Sequence, residues 1–174
     1  MRRLMLLRHA KAERPVPGEP DRGRKLTERG RADAPLIGAY MARHGLVPAL
    51  ALVSPATRAK QTWDLLAPCF DNAPKAVSDE RIYNADPARL LGLIAETRGV
   101  PSLLVVGHNP GIHELAAQLI ASGDVTARER MTEGLPTSGL VVIDLPFDDW
   151  SLLRARAGRL DRFVSPRSLA AATE

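Results

Sequence analysis

Cysteine is nearly absent: Cys69 is the only one in 174 residues. No internal disulfide and no thiolate metal cluster can be built from it. Aromatic residues make up only 4% of the chain, so base-stacking platforms for nucleic acid are scarce. No apolar run approaches the roughly 20 residues that cross a bilayer, and there is no internal repeat or low-complexity block. Arg2 and Arg3 precede LMLL, but that run is too short for a signal-peptide core and no small-residue cleavage site follows it. These gaps predict a cytoplasmic protein with neither a membrane nor a nucleic acid as partner.

Lysine is also scarce, at positions 11, 25, 60 and 75 only; the rest of the 24 basic residues are arginine. Against 20 acidic residues they leave a net charge of +4, which mildly favours an anionic partner. Arginine suits fork-like recognition of phosphate and carboxylate, although it is common enough that composition alone decides nothing. Hydrophobic residues are 45%, an ordinary globular fraction, and the length suits one domain with a sizeable core. Residues 1–163 are expected to form that domain, with 164–174 a poorly packed C-terminal tail.

Strands and helices alternate along the chain. Strands are predicted over 3–7, 49–53, 75–77, 102–107, 139–145 and 150–157. Helices are predicted over about 28–44, 56–67, 87–97 and 111–122. Thr27 is placed to cap the first helix and Gly45 to end it. Residues 10–26, with Pro15, Pro17, Gly18, Pro20 and Gly23, read as a loop, and 123–137 are polar and unassigned. The pattern predicts an α/β fold, a three-layer α/β/α sandwich. LMLL, ALALV and SLLVV are apolar throughout, as strands covered on both faces are, so the sheet should be mostly parallel. The last two strands, joined by a short turn, would make it mixed.

In such sheets ligands bind beyond the carboxyl ends of the parallel strands. Three of these ends carry suggestive groups. The first gives Arg8-His9, the second gives SPATRAKQT with Arg58, and the fourth gives GHNPG with His108. Any one of them has an ordinary explanation as a surface pair, a solvated helix arginine or a helix cap. Their convergence at one edge of the sheet does not. Two arginine forks can hold several phosphoryl oxygens and neutralise charge in the transition state. A neutral imidazole can attack phosphorus, a second can donate a hydrogen bond, and a helix N-terminus adds backbone donors. Such chemistry needs no metal or other cofactor, and there is no Walker A motif. His108, His113 and Glu114 match no standard zinc spacing, so His113 is read as a helix-surface or supporting residue. His44 and Cys69 are read as structural. Asp21 either contacts the site or orders its loop.

These motifs resemble the histidine phosphatase superfamily, whose first signature is R-H-G at the end of strand one; here the third position is Ala10. The resemblance continues through LTERG at 26–30, SPATRAKQT at 54–62 and VVGHNPG at 105–111. Within the superfamily, DRGRKLTERG, ERIYNA and RFVSPRSL are similar to the SixA-type phosphohistidine phosphatases. The resemblance implies a phosphoglycerate mutase-like fold and a phosphatase acting through a covalent phosphohistidine. His9 would be the nucleophile, Arg8, Arg58 and His108 would bind the phosphoryl group, and Arg24 would help close the pocket. The proton donor would be an acidic residue after strand three, with Glu80 the best match and its neighbour Asp79 the rival. The implied substrate is phosphohistidine on a signalling or phosphotransfer protein. The rivals are a phosphatase of small esters or anhydrides and a non-catalytic phosphate-binding module. Phosphohistidine expels an imidazole rather than an alkoxide, so it depends less on an acid. If Glu80 is the donor, Glu80→Gln should harm ester hydrolysis far more than phosphohistidine hydrolysis. Only about ten residues, 78–87, separate the third strand from the next helix, which leaves little chain for a lid.

Overall fold

The computed structural model describes residues 1–172. Its centre is β1 (Arg2–Arg8), hydrogen-bonded on both sides. The other strands are β2 (Leu50–Val53), β3 (Ala76–Ser78), β4 (Ser102–Gly107), β5 (Ile120–Gly123), β6 (Leu140–Leu145) and β7 (Gly158–Val164). They form one sheet in the order β3-β2-β4-β1-β6-β7-β5. Four of its six pairings are parallel, while β1–β6 and β6–β7 are antiparallel. The helices are α1 (Glu28–Arg43), α2 (Thr57–Leu66), α3 (Pro87–Ala95), α4 (Gly111–Leu119), α5 (Val125–Glu133) and α6 (Pro166–Ala172).

The strict alternation of a strand splits LMLL between two cores. Leu4 and Leu6 join Leu103, Val105, Ile94, Ile112 and Leu115 under α3 and α4. Met5 and Leu7 join Leu104, Val106, Ile37, Met41, Trp63 and Leu66 under α1 and α2. All four β1 residues are at most 1% exposed, which is why the run shows no polar alternation. Helices on both faces complete the three-layer α/β/α sandwich that the sequence predicts.

Local chemistry sets the element ends. Thr27 accepts the Gly30 amide as N-cap of α1, and Gly45 continues past its end at φ 67°. Asp86 does the same for α3 by accepting the Arg89 amide. Gly30 has a second duty: a Cβ there would lie 2.2 Å from the Lys11 carbonyl oxygen, so only glycine lets the loop after β1 rest on α1. Gly111 plays the same part where α4 meets the Ala85 carbonyl, at 2.0 Å from a built Cβ.

Two of the expected elements need correction, and helix is found in two stretches where none was assigned. Residues 150–157 form no strand; Trp150–Leu152 is a 3-10 turn capped by Asp149, and the last strand is Gly158–Val164. Trp150 and Leu153 plug the core instead, 1% and 6% exposed, with the Trp150 indole donating to the Val100 carbonyl at 2.8 Å. The helix expected to reach 122 stops at Leu119, where the chain turns out to pair β5 with β7. The polar stretch 123–137 contains α5, which buries only Met131 and so shows little apolar periodicity. Residues 166–172 of the expected tail are helical, with Leu169 packed on the α1–α2 core; positions 173 and 174 lie outside the described residues.

The glycines give a contrast that unfolding can measure. Gly30→Ala should lower stability by about 1–3 kcal/mol, the usual cost of overpacking against backbone. Gly92→Ala, in α3 with open space around the built Cβ, should raise it by up to about 1 kcal/mol. Chemical denaturation of both variants checks the pair.

Candidate phosphoryl-transfer site

The carboxyl ends of β1, β2 and β4 lie side by side, and the chain leaves each of them into one pocket of about 330 Å³. Arg8, His9, Arg24, Arg58 and His108 all line it, together with Asp21, Asn84, Asn109 and Thr137. Five of the six residues expected at the site from sequence therefore meet there. Glu80 does not line it. Its carboxylate sits 68% exposed and pairs with Arg22 at 2.9 Å. Asp79 does not line it either; it caps the following turn and pairs with Arg81 at 2.9 Å.

His9 is 8% exposed. Its Nδ1 lies 2.7 Å from the carbonyl oxygen of Ala10. A carbonyl can only accept, so Nδ1 carries the hydrogen and donates it. In the neutral ring Nε2 then holds a free lone pair. Burial, reinforced by the Arg58 and Arg8 charges, lowers the His9 pKa to about 4, so the ring is neutral at pH 7. The Ala10 amide in turn donates to Thr62 Oγ1 at 2.9 Å, and the Thr62 hydroxyl donates to the Arg58 carbonyl at 2.7 Å. The nucleophile candidate and the Arg58 backbone are thus linked through one threonine.

A second chain of bonds reaches the other imidazole. The Ala56 amide donates to Ser54 Oγ at 3.3 Å, and Ser54 Oγ lies 2.7 Å from His108 Nε2. The Ser54 hydroxyl has one hydrogen and two lone pairs, so beside the Ala56 amide it can either donate to Nε2 or accept from it; when it donates, the hydrogen of His108 sits on Nδ1. That atom is buried without a partner. Burial, then the neighbouring His9, push the His108 pKa down to about 3. The two rings lie 5.2 Å apart, centroid to centroid.

The arginines are held from outside the pocket. Arg8 Nη1 donates to the Leu135 carbonyl at 3.1 Å, and the Asn109 amide donates to the same oxygen at 2.8 Å. Burial lowers the pKa of Arg8. Arg58, 4% exposed, sits in the first turn of α2, where the helix dipole opposes its charge. Asp21 offsets this: its carbonyl accepts from Arg58 Nη1 at 2.9 Å, and its carboxylate pairs with Arg58 at 3.2 Å and Arg24 at 2.9 Å. The Tyr83 hydroxyl also donates to that carboxylate. This bond, with help from the two arginines, holds the Asp21 pKa at about 2. Asp21 takes both of its expected parts: it lines the pocket, and it ties its loop to Arg58 and Tyr83.

Tyr83 joins the two loops at the rim. Its ring meets His108 edge-on at 5.6 Å and lies under the Arg22 guanidinium at 4.6 Å. With the Arg22–Glu80 pair, this fastens residues 21–24 to residues 80–83. Tyr83, Asn84, Asn109 and Thr137 escape sequence reasoning. Asn109 lies inside GHNPG and Tyr83 and Asn84 inside ERIYNA, so the motifs marked the places but not the residues. Thr137 comes from the unassigned polar stretch. Even after Asp21 is counted, five of the six unpartnered buried side-chain atoms among the described residues gather here: Arg8 Nε, Arg58 Nε, His108 Nδ1, Asn109 Oδ1 and the Oγ of Ser138, the sixth being Arg2 Nε at the other end of β1. Arg8 Nε and Arg58 Nε are donors, the Ser138 hydroxyl can donate, and His108 Nδ1 donates when it carries the ring hydrogen.

Comparison with known proteins agrees with the motifs. A model of the histidine phosphatase superfamily, branch 1, matches residues 4–98. An uncharacterised protein of Mycobacterium tuberculosis is 35% identical over 164 residues, which covers 92% of this chain and all 100% of that one. A structure from Agrobacterium tumefaciens, provisionally named phosphohistidine phosphatase SixA, superposes with a TM-score of 0.79 at 36% identity, covering 95% of this chain and 98% of that one. The protein histidine phosphatase SixA in complex with tungstate gives a TM-score of 0.71 at 26% identity, covering 96% and 99%. The chain belongs to branch 1 of the histidine phosphatase superfamily. Among the described residues, no helix is long and apolar enough to cross a membrane.

The two imidazoles make stability depend on pH. Above pH 6.5 neither the folded nor the unfolded chain protonates them. Between pH 6.5 and about 4 the unfolded chain binds protons that folded His9 and His108 refuse, so stability falls as pH falls. Each ring adds up to roughly 1.4 kcal/mol per pH unit to that slope. Denaturant midpoints measured across this window should drop for the wild type and drop less for the His9→Asn/His108→Asn variant.

Proposed function

We propose that this protein removes phosphate from phosphohistidine carried by a signalling or phosphotransfer protein, through a phosphoenzyme on His9. The observation that carries the reading is the set of unpartnered buried donors on Arg8, Arg58 and His108 around a neutral His9. Buried donors without acceptors are costly, and a tetrahedral oxyanion would satisfy them. The related protein histidine phosphatase SixA forms a complex with tungstate, a tetrahedral oxyanion, which supports oxyanion binding by a chain of this fold.

His9 Nε2 attacks phosphorus while Arg8, Arg58 and Arg24 hold the phosphoryl oxygens and His108 Nδ1–H donates to them. The bond from phosphorus to the leaving nitrogen breaks, and its electron pair stays with that nitrogen. Water then attacks the phosphoenzyme, giving inorganic phosphate and free His9. Charge on the oxygens is met by groups already fixed in place, which is the most effective form of electrostatic stabilisation.

The leaving group decides between substrates. Among the described residues, Asp21 is the one acidic side chain lining the pocket, and at a pKa of about 2 it has no proton to give at neutral pH. An alkoxide leaving group needs such a proton far more than an imidazole does. The pocket's chemistry therefore favours phosphohistidine over phosphate esters. Glu80 takes no step in this reading.

Turnover of a phosphohistidine-bearing protein and of an aryl phosphate, with chelator present, tests it. Wild type should prefer the phosphohistidine protein in kcat/KM, and His9→Ala should lose at least about 10³-fold, as removal of a nucleophile does. Undiminished turnover by His9→Ala, or wild-type preference for the ester, would contradict the reading. Glu80→Gln should alter kcat/KM on either substrate by no more than about fivefold, the scale of an exposed ion pair. A hundredfold loss on the ester alone would restore Glu80 as proton donor.

A further inference from the structure

Beside the phosphate pocket lies a smaller cavity of about 190 Å³ with the opposite charge. Asn84, His108 and Asn109 line both cavities, and His9 lines only the first. The smaller one adds the carboxylates of Asp86 and Glu114 and has no cationic side chain in its lining. Glu114 stands in the first turn of α4 with no ion pair or side-chain hydrogen bond among the described residues, and Asp86 is engaged only by the Arg89 amide. Two atoms of the shared wall, Asn109 Oδ1 and His108 Nδ1, are buried without partners. The orientation of Asn109 is fixed, because its amide nitrogen donates to the Leu135 carbonyl, so Oδ1 remains an acceptor. In the mechanism proposed above His108 Nδ1 donates to the phosphoryl group, which leaves Asn109 Oδ1 in want of a donor.

An acceptor and two carboxylates make a poor surroundings for another anion. They suit a group that carries N–H and positive charge. The volume is below the roughly 300 Å³ at which pockets for whole small ligands begin, so it fits one ring of a larger molecule. We propose that this cavity is a subsite for the imidazole of the substrate's phosphohistidine, with Asn109 Oδ1, Asp86 and Glu114 facing its non-phosphorylated, protonated nitrogen.

The inference rests on the phosphohistidine reading above and adds a reason why no pocket acid is required. The bond from His9 Nε2 to phosphorus forms as the substrate's P–N bond breaks, and the electron pair of that bond goes to the leaving ring nitrogen. The proton already on the other ring nitrogen makes the departing group neutral imidazole. Atoms and charge balance with no proton delivered to the breaking bond. The subsite's work is to keep that far nitrogen protonated, as a carboxylate beside an imidazolium does. An aryl phosphate has no such nitrogen and gains nothing from it.

Glu114→Gln, Asp86→Asn and the double variant test the subsite. Neither side chain lines the phosphate pocket, and asparagine at 86 keeps the cap of α3. The substrates are a phosphohistidine-bearing protein and an aryl phosphate. The double variant should lose at least roughly tenfold in kcat/KM on phosphohistidine, the scale of a charge-assisted hydrogen bond, while its aryl phosphate activity stays at the wild-type level. Equal losses on both substrates, or no loss on phosphohistidine, would overturn the subsite while leaving the phosphatase reading standing. A wild type that turns over only the aryl phosphate would remove the phosphohistidine reading itself, and the subsite with it.

Discussion

One hydrogen bond, from His9 Nδ1 to the carbonyl of Ala10, decides what the rest of the site can do. It fixes the tautomer of a ring too buried to take a charge, so the free lone pair must sit on Nε2. The surroundings are built to keep that bond in place. The Ala10 amide is tied to Thr62, Thr62 is tied back to Arg58, and the Ser138 amide reaches both the Arg8 and His9 carbonyls. Gly30 lets the same loop lie against α1. A strand end, a helix and a loop therefore converge on the orientation of one imidazole.

Around that ring the pocket concentrates positive charge. Arg8, Arg24 and Arg58 face it together, and their mutual repulsion is offset by Asp21 and by carbonyls that grip them from the outer side. Asp21 is itself kept ionised by Tyr83 and the arginines, so it balances charge and carries no proton. Two imidazoles held neutral and an aspartate held ionised place all the proton-poor forms at one site. A leaving group that already bears its own proton is the natural complement of such a place. The cavity of opposite charge beyond Asn84 and Asn109 lies where such a group could sit.

Much of this was legible in the sequence, for a physical reason. A parallel sheet covered on both faces writes its strands as unbroken apolar runs, and the residue that follows each run lands at the binding edge. Arg8, His9, Arg58 and His108 are found that way without any contact being known. Glu80 was singled out because order along the chain puts an acidic residue after β3, but that order does not give the direction of its side chain, which turns to Arg22. Thr137 could not be found, since it arrives from a polar segment whose helix buries a single side chain. Trp150 and Leu153 misled for the converse reason: apolar residues in a loop can fill a core as well as a strand does. Asn109 stood in a recognised motif, but its unsatisfied carbonyl is visible only once Leu135 is seen to take its amide.

The measurement that bears most directly on this account is the position of phosphate on the trapped phosphoenzyme. Acid-quenched protein caught during turnover, digested and compared with authentic phosphohistidine isomers by nuclear magnetic resonance, would give the residue and the nitrogen. The account predicts phosphate on His9 at Nε2, because Nδ1 is committed to the Ala10 carbonyl. Phosphate on Nδ1, or on His108, would contradict it.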